Sequence, residues 1–519
     1  MTKPNVIVIL ADDLGYSDIA PFGGEMDTPN LDRLASRGVR MSSFYVTPRC
    51  SPSRAALLTG RHPHSVGIGV LTTDHRPNGY RGSLSLDAPT LAERLSEHGY
   101  INGLFGKWHL SSEHRTPSDT WPTRRGFDRF RGILPGASSF YQPPLVEQET
   151  RLSGDELGEG YYFTDDITAS GEQFIREHAS QSPFFLYMAY TAPHWPLQAR
   201  EEEIAQYRDR FRKGWTALRT ERLRRLDELG LVSGVDRLPP GHPTPDWSDD
   251  EADWQVERMA VYAAQVASLD QGVGRLLDAL DETGAADDTI VLFLSDNGGC
   301  AEELPPGLDR FSELVCPRTT PDGREIVIGN DPAVMPGSDT TYQSYGRDWA
   351  TVSNTPFRMW KRWVHEGGIS TPFIASWPGG GIPAGGAISH SAGHVIDVVA
   401  TVMDAVGGTH DTDGESLLSA WRHPSVVDHD RTLFWEHIGN AAVRRGSYKL
   451  VREWGSAWEL YDISTDRSES EDLADGRPEM VEELAELWEA WAREHGVIPW
   501  EDFLRDLDAR GISRARAVG

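Results

Sequence analysis

Cysteine is scarce in this sequence. Only Cys50, Cys300 and Cys316 occur among 519 residues, and three cysteines cannot form a disulfide framework for a chain of this size. A long apolar run is also missing at the beginning, where MTKPN leads directly into VIVIL at residues 6–10. That run is too short for a signal peptide or a membrane span. We therefore expect a reducing compartment, a cytoplasmic location and no membrane partner.

Positive charge is scarce as well. The chain has 50 Lys and Arg against 79 Asp and Glu, which gives a formal net charge of −29. Such a balance argues against nucleic acid as a partner and predicts that an anionic substrate depends on local cations inside a cleft. The hydrophobic content of 39% indicates a globular chain, long enough for one large α/β domain and a smaller one.

The stretch TPRCSPSRAALLTGR at residues 47–61 surrounds the first cysteine. Pro52 suits the first turn of a helix and the following AALL continues it, so Cys50 is expected at the helix N-terminus. Free N–H groups and the helix dipole favour an anion there, and Arg54 lies one turn further on. From these residues alone, Cys50 is a nucleophile precursor, a thiol with a lowered pKa, or a buried cysteine that opens an ordinary helix.

Oxygen-bearing side chains follow two predicted buried strands. Asp12 and Asp13 come directly after residues 6–10, and Asp296 and Asn297 follow TIVLFL at residues 289–294 within SDNGG. Ligands of open α/β sheets bind at the carboxyl ends of the strands. Three carboxylates and an amide without a histidine or thiolate cluster favour a hard cation, Ca²⁺ or Mg²⁺, over Zn²⁺. Either segment alone could be a solvated turn.

Basic and protonatable side chains lie at other predicted strand ends. In GKWH, Lys107 and His109 alternate and so face the same side of an extended segment. His194 lies between prolines in APHWP, a position suited to a general acid. Lys361 precedes HEGG and suits a point-charge role, although Arg362 could also fill it. The histidines of the loop after residue 61, His62, His64 and His75, are weaker candidates.

These motifs together resemble the sulfatase family of the alkaline phosphatase superfamily. The likeness rests on CxPxR followed by LTGR, on ADDLG, TPNLDRLA and GKWH, and on a lysine before HEGG; APHWPLQ is most similar to bacterial arylsulfatases. It implies a large mixed, mostly parallel sheet flanked by helices. It also implies that a formylglycine-generating enzyme oxidises Cys50 to formylglycine, and that the mature protein hydrolyses small-molecule sulfate esters, aryl sulfates first.

The resemblance also implies roles for these residues. Ca²⁺, with Mg²⁺ as the alternative, would be held by Asp12, Asp13, Asp296, Asn297 and an oxygen of the formylglycine made from Cys50. The metal and Arg54 would position that group and Asp296 would act as its base. Lys107 and Lys361 would stabilise the sulfate oxygens. His194 would protonate the leaving group, and His109 would then expel sulfate. Two alternatives remain: a formylglycine-dependent phosphodiesterase or phosphonate monoester hydrolase, and an unconverted, non-catalytic metal-binding protein.

The composition changes near residue 410. Short strands predicted at 432–437, 442–445, 448–452 and 458–462, followed by a helix at 478–495, indicate a small antiparallel sheet with one helix. We therefore predict a catalytic domain at residues 1–415 and a small α+β domain at 416–519. Two other long segments have expected roles: 201–231 as a solvated helical excursion, and 300–349 as a region near the site mouth that decides substrate preference.

Overall fold

The computed structural model describes residues 3–73, 79–232, 238, 247–248, 250–307, 313–428 and 430–512. His75 lies outside these residues. Among the helices described, none is both long and apolar enough to cross a membrane.

A ten-stranded mixed sheet forms the centre of the molecule, as predicted. Its strand order is β12-β2-β11-β8-β1-β7-β3-β4-β5-β6, and strands β8, β1, β7, β3 and β4 are parallel neighbours. Two short strands, β9 and β10, pair separately. The strands of these two sheets, in chain order, are β1 Asn5–Ala11, β2 Val39–Tyr45, β3 Ile101–Lys107, β4 Arg129–Ile133, β5 Val146–Glu147, β6 Thr150–Arg151, β7 Phe184–Ala189, β8 Thr289–Ser295, β9 Val327–Ile328, β10 Thr341–Tyr342, β11 Phe373–Ser376 and β12 Ala387–His394.

Helices cover both faces of this sheet. They are α1 Pro29–Ser36, α2 Cys50–Thr59, α3 Leu91–Glu97, α4 Phe163–His178, α5 Glu201–Ile204, α6 Trp215–Glu228, α7 Ala252–Thr283, α8 Gly346–Ser353, α9 Glu366–Ile369, α10 Asp397–Val406, α11 Leu418–Arg422, α12 Pro478–Glu494 and α13 Trp500–Ala509. Successive β1 residues point to opposite faces. Ile7 and Ile9 pack with α1, α4 and α7, whereas Val6, Val8 and Leu10 pack with α2, α3 and α10. Burial on both faces explains the continuous apolar run of β1.

The carboxyl ends of the central parallel strands meet at one edge of the sheet. Asp12 and Asp13 directly follow β1, Lys107 is the last residue of β3, His194 follows β7, and Asp296 follows β8. The order β8-β1-β7-β3 therefore brings these side chains together although they are far apart in the sequence. Strand topology alone thus accounts for half of the candidate site.

A separate antiparallel sheet forms near the C-terminus. Its four strands, in the order β13-β14-β15-β16, pack against α12. They are β13 Thr432–His437, β14 Asn440–Arg445, β15 Tyr448–Arg452 and β16 Glu459–Asp462. The predicted small sheet with a helix is therefore present, and α13 is an additional helix that the sequence pattern did not indicate. The domain boundary at residues 415/416 stays a prediction.

The prediction of a solvated excursion at residues 201–231 was wrong for α6. Arg222 of this helix is fully buried and forms ion pairs of 2.7 Å with both Asp18 and Glu25. Leu218 and Leu226 of the same helix lie in the core that covers the sheet. The segment is highly charged, and we therefore expected α6 to face solvent. One of those charges, Arg222, is instead paired inside the protein.

A buried charge network joins the small sheet to the main sheet. Glu366 of α9 accepts hydrogen bonds from Lys449 of β15 at 3.1 Å, from Arg467 at 3.0 Å and from the hydroxyl of Tyr45 at 3.0 Å. Burial raises the pKa of Glu366, but the charges of Lys449 and Arg467 outweigh it and lower the pKa to about 2. Glu366 therefore stays ionised while the protein is folded.

We expect Glu366→Ala to destabilise the fold strongly. Removal of this carboxylate takes the ion-pair partner from buried Arg467 and leaves Lys449 with Glu469 alone. Breaking a buried ion pair typically costs about 3–5 kcal/mol. Urea unfolding followed by circular dichroism measures it. Because the folded-state pKa is depressed, the difference between wild type and variant should shrink as the pH falls from 4.5 towards 2. Glu489→Ala, which removes an exposed partner of Arg493, is the control and should change stability by less than about 1 kcal/mol. Equal stabilities of the two variants would contradict the role of the network.

Candidate active site

Cys50 is the first residue of α2, as the sequence predicted. The preceding Arg49 is extended, with φ −152° and ψ 147°, and its carbonyl accepts the hydrogen bond of Ser53 N at 3.0 Å. The hydroxyls of Thr47 and Ser53 lie 2.7 Å apart and fix the entry to the helix. The thiol of Cys50 is buried, and its Sγ lies 3.4 Å from Nδ1 of His109.

Arg54 joins three strand ends beneath Cys50. Its Nε and Nη2 donate to Oδ2 of Asp296 at 3.0 and 2.8 Å, and its Nη1 donates to the carbonyl of Lys107 at 3.0 Å. Nη2 also lies 3.4 Å from Oδ2 of Asp12. Arg54 is fully buried, and although burial lowers its pKa, Asp296 raises it above its usual value. The guanidinium is therefore a permanent charge in the site.

Two lysines pair with the aspartates that follow β1. Lys107 Nζ lies 2.6 Å from Oδ2 of Asp12, and Lys361 Nζ lies 2.9 Å from Oδ2 of Asp13. Asn297 Nδ2 donates to Oδ1 of Asp13 at 2.6 Å. Although burial raises the pKa of Asp13, Lys361 and His194 lower it well below the usual range. Both aspartates of ADDLG thus face basic partners from other motifs.

The residues at this edge fit a hard divalent cation. Oδ1 of Asp12 and Oδ1 of Asn297 are buried and have no hydrogen-bond partner among the described residues, although buried oxygens normally have one. Ligand atoms of Asp12, Asp13 and His194 lie within 4.8 Å of one another. The formal charges of Asp12, Asp13 and Asp296 cancel those of Arg54, Lys107 and Lys361, so a divalent cation would give the site the positive charge that an anionic substrate needs.

His194 lies between Lys361 and Asp13. Its Nε2 is 3.4 Å from Lys361 Nζ and 3.3 Å from Oδ2 of Asp13, and its Nδ1 donates to the carbonyl of Trp195 at 2.6 Å. Because Nδ1 holds a proton for that carbonyl, Nε2 is the atom that faces the site. Burial is the main reason that the pKa of His194 falls to about 4, with Lys361 adding to the effect and Asp13 opposing it.

His109 is the histidine that contacts Cys50, with 3.4 Å between its Nδ1 and Sγ. Burial, together with the charges of Lys107 and Arg54, lowers the pKa of His109 well below its usual value. Its backbone is left-handed, with φ 55°, and a side chain at Gly136 would come within 2.4 Å of its ring. Asp13 is also left-handed, with φ 65°. Such conformations cost energy and are concentrated at functional sites.

The motifs SDNGG and HEGG contact each other. A Cβ at Gly298 would lie 1.9 Å from the carbonyl oxygen of Gly367, so only glycine permits this approach. Gly298 N donates to the carbonyl of Gly368 at 3.1 Å, and Lys361 N donates to that of Gly299 at 3.1 Å. These backbone contacts place Lys361 beside the carboxyl end of β8.

The structure thus brings together all ten residues that the sequence singled out. They are Asp12, Asp13, Cys50, Arg54, Lys107, His109, His194, Asp296, Asn297 and Lys361. Their catalytic and metal-binding roles remain predictions. The role of Cys50 as a metal ligand is one of these, and its Sγ contacts His109. Arg362 has a left-handed backbone, with φ 89°, and an exposed side chain, so Lys361 is the lysine or arginine that enters the cluster. His64 instead lies 2.7 Å from Glu436.

Sequence reasoning missed an ion pair beside this cluster. Arg49 Nη2 lies 3.2 Å from Oε1 of Glu302, and Trp195 Nε1 donates to Oε2 of the same carboxylate at 2.9 Å. Burial raises the pKa of Glu302, but Lys361 and Arg49 lower it to about 2. Glu302 lies in the segment that was expected near the site mouth. Its position shortly after SDNGG was the available signal, but it did not distinguish Glu302 from Glu303.

The chain is similar to known proteins in both sequence and structure. A family model described as Sulfatase matches residues 4–408. The chain is 32% identical to an uncharacterised sulfatase of Schizosaccharomyces pombe over 545 aligned residues, covering 96% of this chain and 95% of the relative. It is 33% identical to an arylsulfatase of Klebsiella aerogenes over 422 residues, covering 78% and 87%. The crystal structure of Ps i-CgsB is similar with a TM-score of 0.70 and 25% identity, over 99% of each chain.

Proposed function

Because the chain belongs to the sulfatase family, we propose that it hydrolyses sulfate esters, aryl sulfates first, to a phenol or alcohol and inorganic sulfate. Members of this family generally use formylglycine and a divalent metal. The observation that carries the proposal is the position of Cys50. It lies at the N-terminus of α2, 3.4 Å from His109, on the edge that also holds Arg54, Lys107 and Lys361. We further propose that a formylglycine-generating enzyme converts Cys50, and that the protein is cytoplasmic, in keeping with its three free cysteines.

In the proposed chemistry, some residues of the site act on the nucleophile and others act on the sulfate group. Formylglycine would supply the attacking hydroxyl of an aldehyde hydrate, and a bound Ca²⁺ would supply Lewis-acid stabilisation of charge. Arg54 orients the nucleophile end and holds Asp296, the candidate base, through two hydrogen bonds. Lys107 ends β3, and Lys361 lies between α8 and α9. Both reach the same edge, where they can stabilise charge on the sulfate oxygens.

Proton transfer falls to the two histidines. The lowered pKa of His109 leaves its imidazole neutral at pH 7, so it can accept a proton beside residue 50 when sulfate is released. His194 presents Nε2 next to Lys361 Nζ. Since the pKa of His194 is also low, a proton for the leaving oxygen would come through His194 from its lysine neighbour. The two histidines therefore serve two successive steps.

Steady-state assays with matched leaving groups test the proposed reaction. The enzyme, produced together with a formylglycine-generating enzyme, is given 4-nitrophenyl sulfate, bis(4-nitrophenyl) phosphate, a phenyl phosphonate ester and a sulfated monosaccharide. We expect the highest kcat/KM for the aryl sulfate. A preference for the phosphorus substrates would favour the competing phosphodiesterase or phosphonate hydrolase. A Cys50 thiol that stays intact despite the generating enzyme, with no turnover of any substrate, would favour the unconverted, non-catalytic metal-binding protein.

We expect His194→Ala to impair poor leaving groups selectively. A general acid contributes about 10²–10⁴-fold when the departing oxygen is basic, and much less when that oxygen leaves readily as an anion. The variant should therefore lose two or more orders of magnitude in kcat for an alkyl sulfate and far less for 4-nitrophenyl sulfate. Rates over a series of substituted phenyl sulfates measure the dependence on leaving-group pKa. An equal loss across the series would contradict the role of His194 as the acid.

Metal removal tests the choice of Ca²⁺. Chelation should abolish activity, Ca²⁺ should restore it, and Mg²⁺ should restore it less well because it requires stricter octahedral geometry. Asp13→Asn, which places an amide against Lys361 and Asn297, should weaken Ca²⁺ binding by more than about tenfold. Elemental analysis and calorimetry measure the metal directly. Asp27→Asn, at an exposed partner of Arg210, is the matched control. Full activity of the chelated enzyme would exclude a catalytic metal.

A further inference from the structure

A second cluster of potential metal ligands lies away from the candidate active site. One ring nitrogen each of His62 and His495 and one carboxylate oxygen of Asp413 lie within 4.8 Å of one another. The imidazole rings of His62 and His495 are 4.6 Å apart between centroids, at an angle of 63°. Asp413 accepts the hydrogen bond of the His62 backbone N–H at 2.8 Å, so the carboxylate is held beside both rings.

The two histidine rings of this cluster differ in their protein partners, since Nδ1 of His495 lies 2.9 Å from Oγ of Ser65. His62 is 7% exposed, and within the described part of the chain neither of its ring nitrogens forms a hydrogen bond. Beside it, Nε2 of His394 is buried and has no hydrogen-bond partner among the described residues, and its ring lies 6.2 Å from that of His62. Buried imidazole nitrogens normally have a partner, and a bound ion with its waters would supply one.

Each ligand comes from a different segment. His62 follows the helix that begins at Cys50, Asp413 lies between α10 and α11, and His495 directly follows α12 of the small sheet. The rings also pack on Trp491 of α12, with centroids 5.0 Å from that of His62 and 5.5 Å from that of His495. An ion bound here would fasten the C-terminal helix to the segment that carries the candidate nucleophile.

The surroundings permit a cation to enter. The ligands line an open cavity of about 440 Å³ that Glu415 and Glu494 also border, so acidic side chains lie at its edge. Two arginines are competing cations. Arg61 Nη1 is 3.9 Å from Asp413, but its Nη2 pairs with Asp411 at 2.8 Å. Arg431 also lines the cavity and pairs with Asp397.

We propose that His62, Asp413 and His495 form a structural Zn²⁺ site that joins α12 to the end of the α2 segment. Two imidazoles and one carboxylate, with water as the fourth ligand, form a set that Zn²⁺ accepts and that Ca²⁺ and Mg²⁺ disfavour. Ligand atoms on a tetrahedral Zn²⁺ lie roughly 3.3 Å apart, from bond lengths near 2.0–2.1 Å, so small side-chain rotations bring the three atoms into range. The site is independent of the catalytic proposal because it shares no residue with it.

Zinc titration of the full chain tests this site. The protein is first stripped with a chelator and then kept in excess Ca²⁺, so that the hard-cation site is satisfied. We expect calorimetry to detect one tightly bound equivalent of Zn²⁺ and thermal unfolding to shift to a higher Tm. Co²⁺ in place of Zn²⁺ should give the strong visible absorption of a four- or five-coordinate ion.

Conservative variants identify the ligands. Asp413→Asn keeps an acceptor for the His62 N–H, and His495→Gln keeps a polar partner for Ser65. Each variant should reduce Zn²⁺ affinity by more than about tenfold, because even the mutation of a residue that only hydrogen-bonds to a metal ligand typically lowers the affinity that much. Each variant should also abolish the Tm shift. His423→Gln, at an exposed histidine, is the control and should bind like wild type. Asp13→Asn should also keep Zn²⁺ binding, which separates this site from the active site.

Three outcomes would overturn the proposal. The first is a wild-type protein that takes up no Zn²⁺ in the presence of Ca²⁺. The second is unchanged affinity in both Asp413→Asn and His495→Gln, with near-UV circular dichroism like that of wild type. The third is Zn²⁺ uptake that Asp13→Asn abolishes, because the ion would then occupy the active site. None of these results bears on sulfate ester hydrolysis, which is assayed separately.

Discussion

Cys50→Ser is expected to turn over at most once per molecule and to accumulate a sulfated enzyme. A serine hydroxyl at the N-terminus of α2 can attack sulfur, but it lacks the second hydroxyl from which His109 would take a proton to expel sulfate. The resulting ester would have to be hydrolysed by water, so we expect kcat to fall by at least about 10³-fold, as when a catalytic nucleophile is lost. Mass spectrometry of the intact protein after substrate addition should show the mass of one added SO₃ group. Mass spectrometry after digestion should place that group on the peptide that carries residue 50.

The matched control is Cys316→Ser. Cys316 is another buried free cysteine, but it lies in the segment around β9 and β10 and not at the cluster of strand ends. This variant should keep multiple turnover and show no added mass. Sustained turnover by Cys50→Ser would refute the diol scheme. So would a Cys50→Ser enzyme that is equally slow but never becomes sulfated, since the serine would then not act as a nucleophile.

The sequence predicted the strand ends of this protein well because their physical cause is local. A parallel strand buried on both faces must be a continuous apolar run, and the chain that leaves its carboxyl end is free to carry polar side chains. Asp12 after β1 and Asp296 after β8 are both of this kind. Once several such strands share a sheet, their ends are neighbours, and the pairing of Lys107 with Asp12 follows from the strand order.

Other parts of the fold could not be predicted because their causes are not local. Strand β2 has an arginine and two serines among its seven residues and was not recognised, yet it pairs with both β11 and β12 inside the large sheet. Two of its polar residues bond to partners outside the strand. Arg40 donates to the carbonyls of Pro21 and Gly386, and Oγ of Ser42 lies 2.8 Å from Nδ1 of His390. Helix α6 was interpreted as solvated for the same reason, since the partners of Arg222 precede it by about two hundred residues.

The same limit applies to the site. Motif residues were identified individually, but the pair formed by Arg49 and Glu302 depends on how two loops meet. Arg54 and Asp296 also come from distant segments, but each of them belongs to a motif that the sequence analysis identified. Residue type and spacing therefore identified the members of the candidate site, whereas the charges that border them required the tertiary structure.

Arg54→Ala is expected to have the second large effect, because it removes the cation that joins three strand ends. Asp296 would lose two hydrogen bonds, Asp12 would keep only Lys107, and the carbonyl of Lys107 would lose its donor. Leaving buried carboxylates without their partner typically costs about 3–5 kcal/mol of stability. Loss of a preorganised charge at the reacting group should also lower kcat by about 10²–10³-fold. Urea unfolding and steady-state kinetics measure the two effects on the same preparation.

Arg125→Ala separates the effect on stability from that on catalysis. Arg125 is also buried and pairs with Glu93 at 3.0 Å, but it lies at the N-terminal end of α3, and its contacts include no residue of the candidate site. It should therefore lose stability as Arg54→Ala does and yet keep kcat near that of wild type. Arg54→Lys keeps the charge but cannot reach Asp296, Asp12 and the Lys107 carbonyl together, so it should recover only part of the rate. If Arg125→Ala lowered kcat as much as Arg54→Ala, the loss would reflect a loosened fold, and Arg54 would be a structural residue.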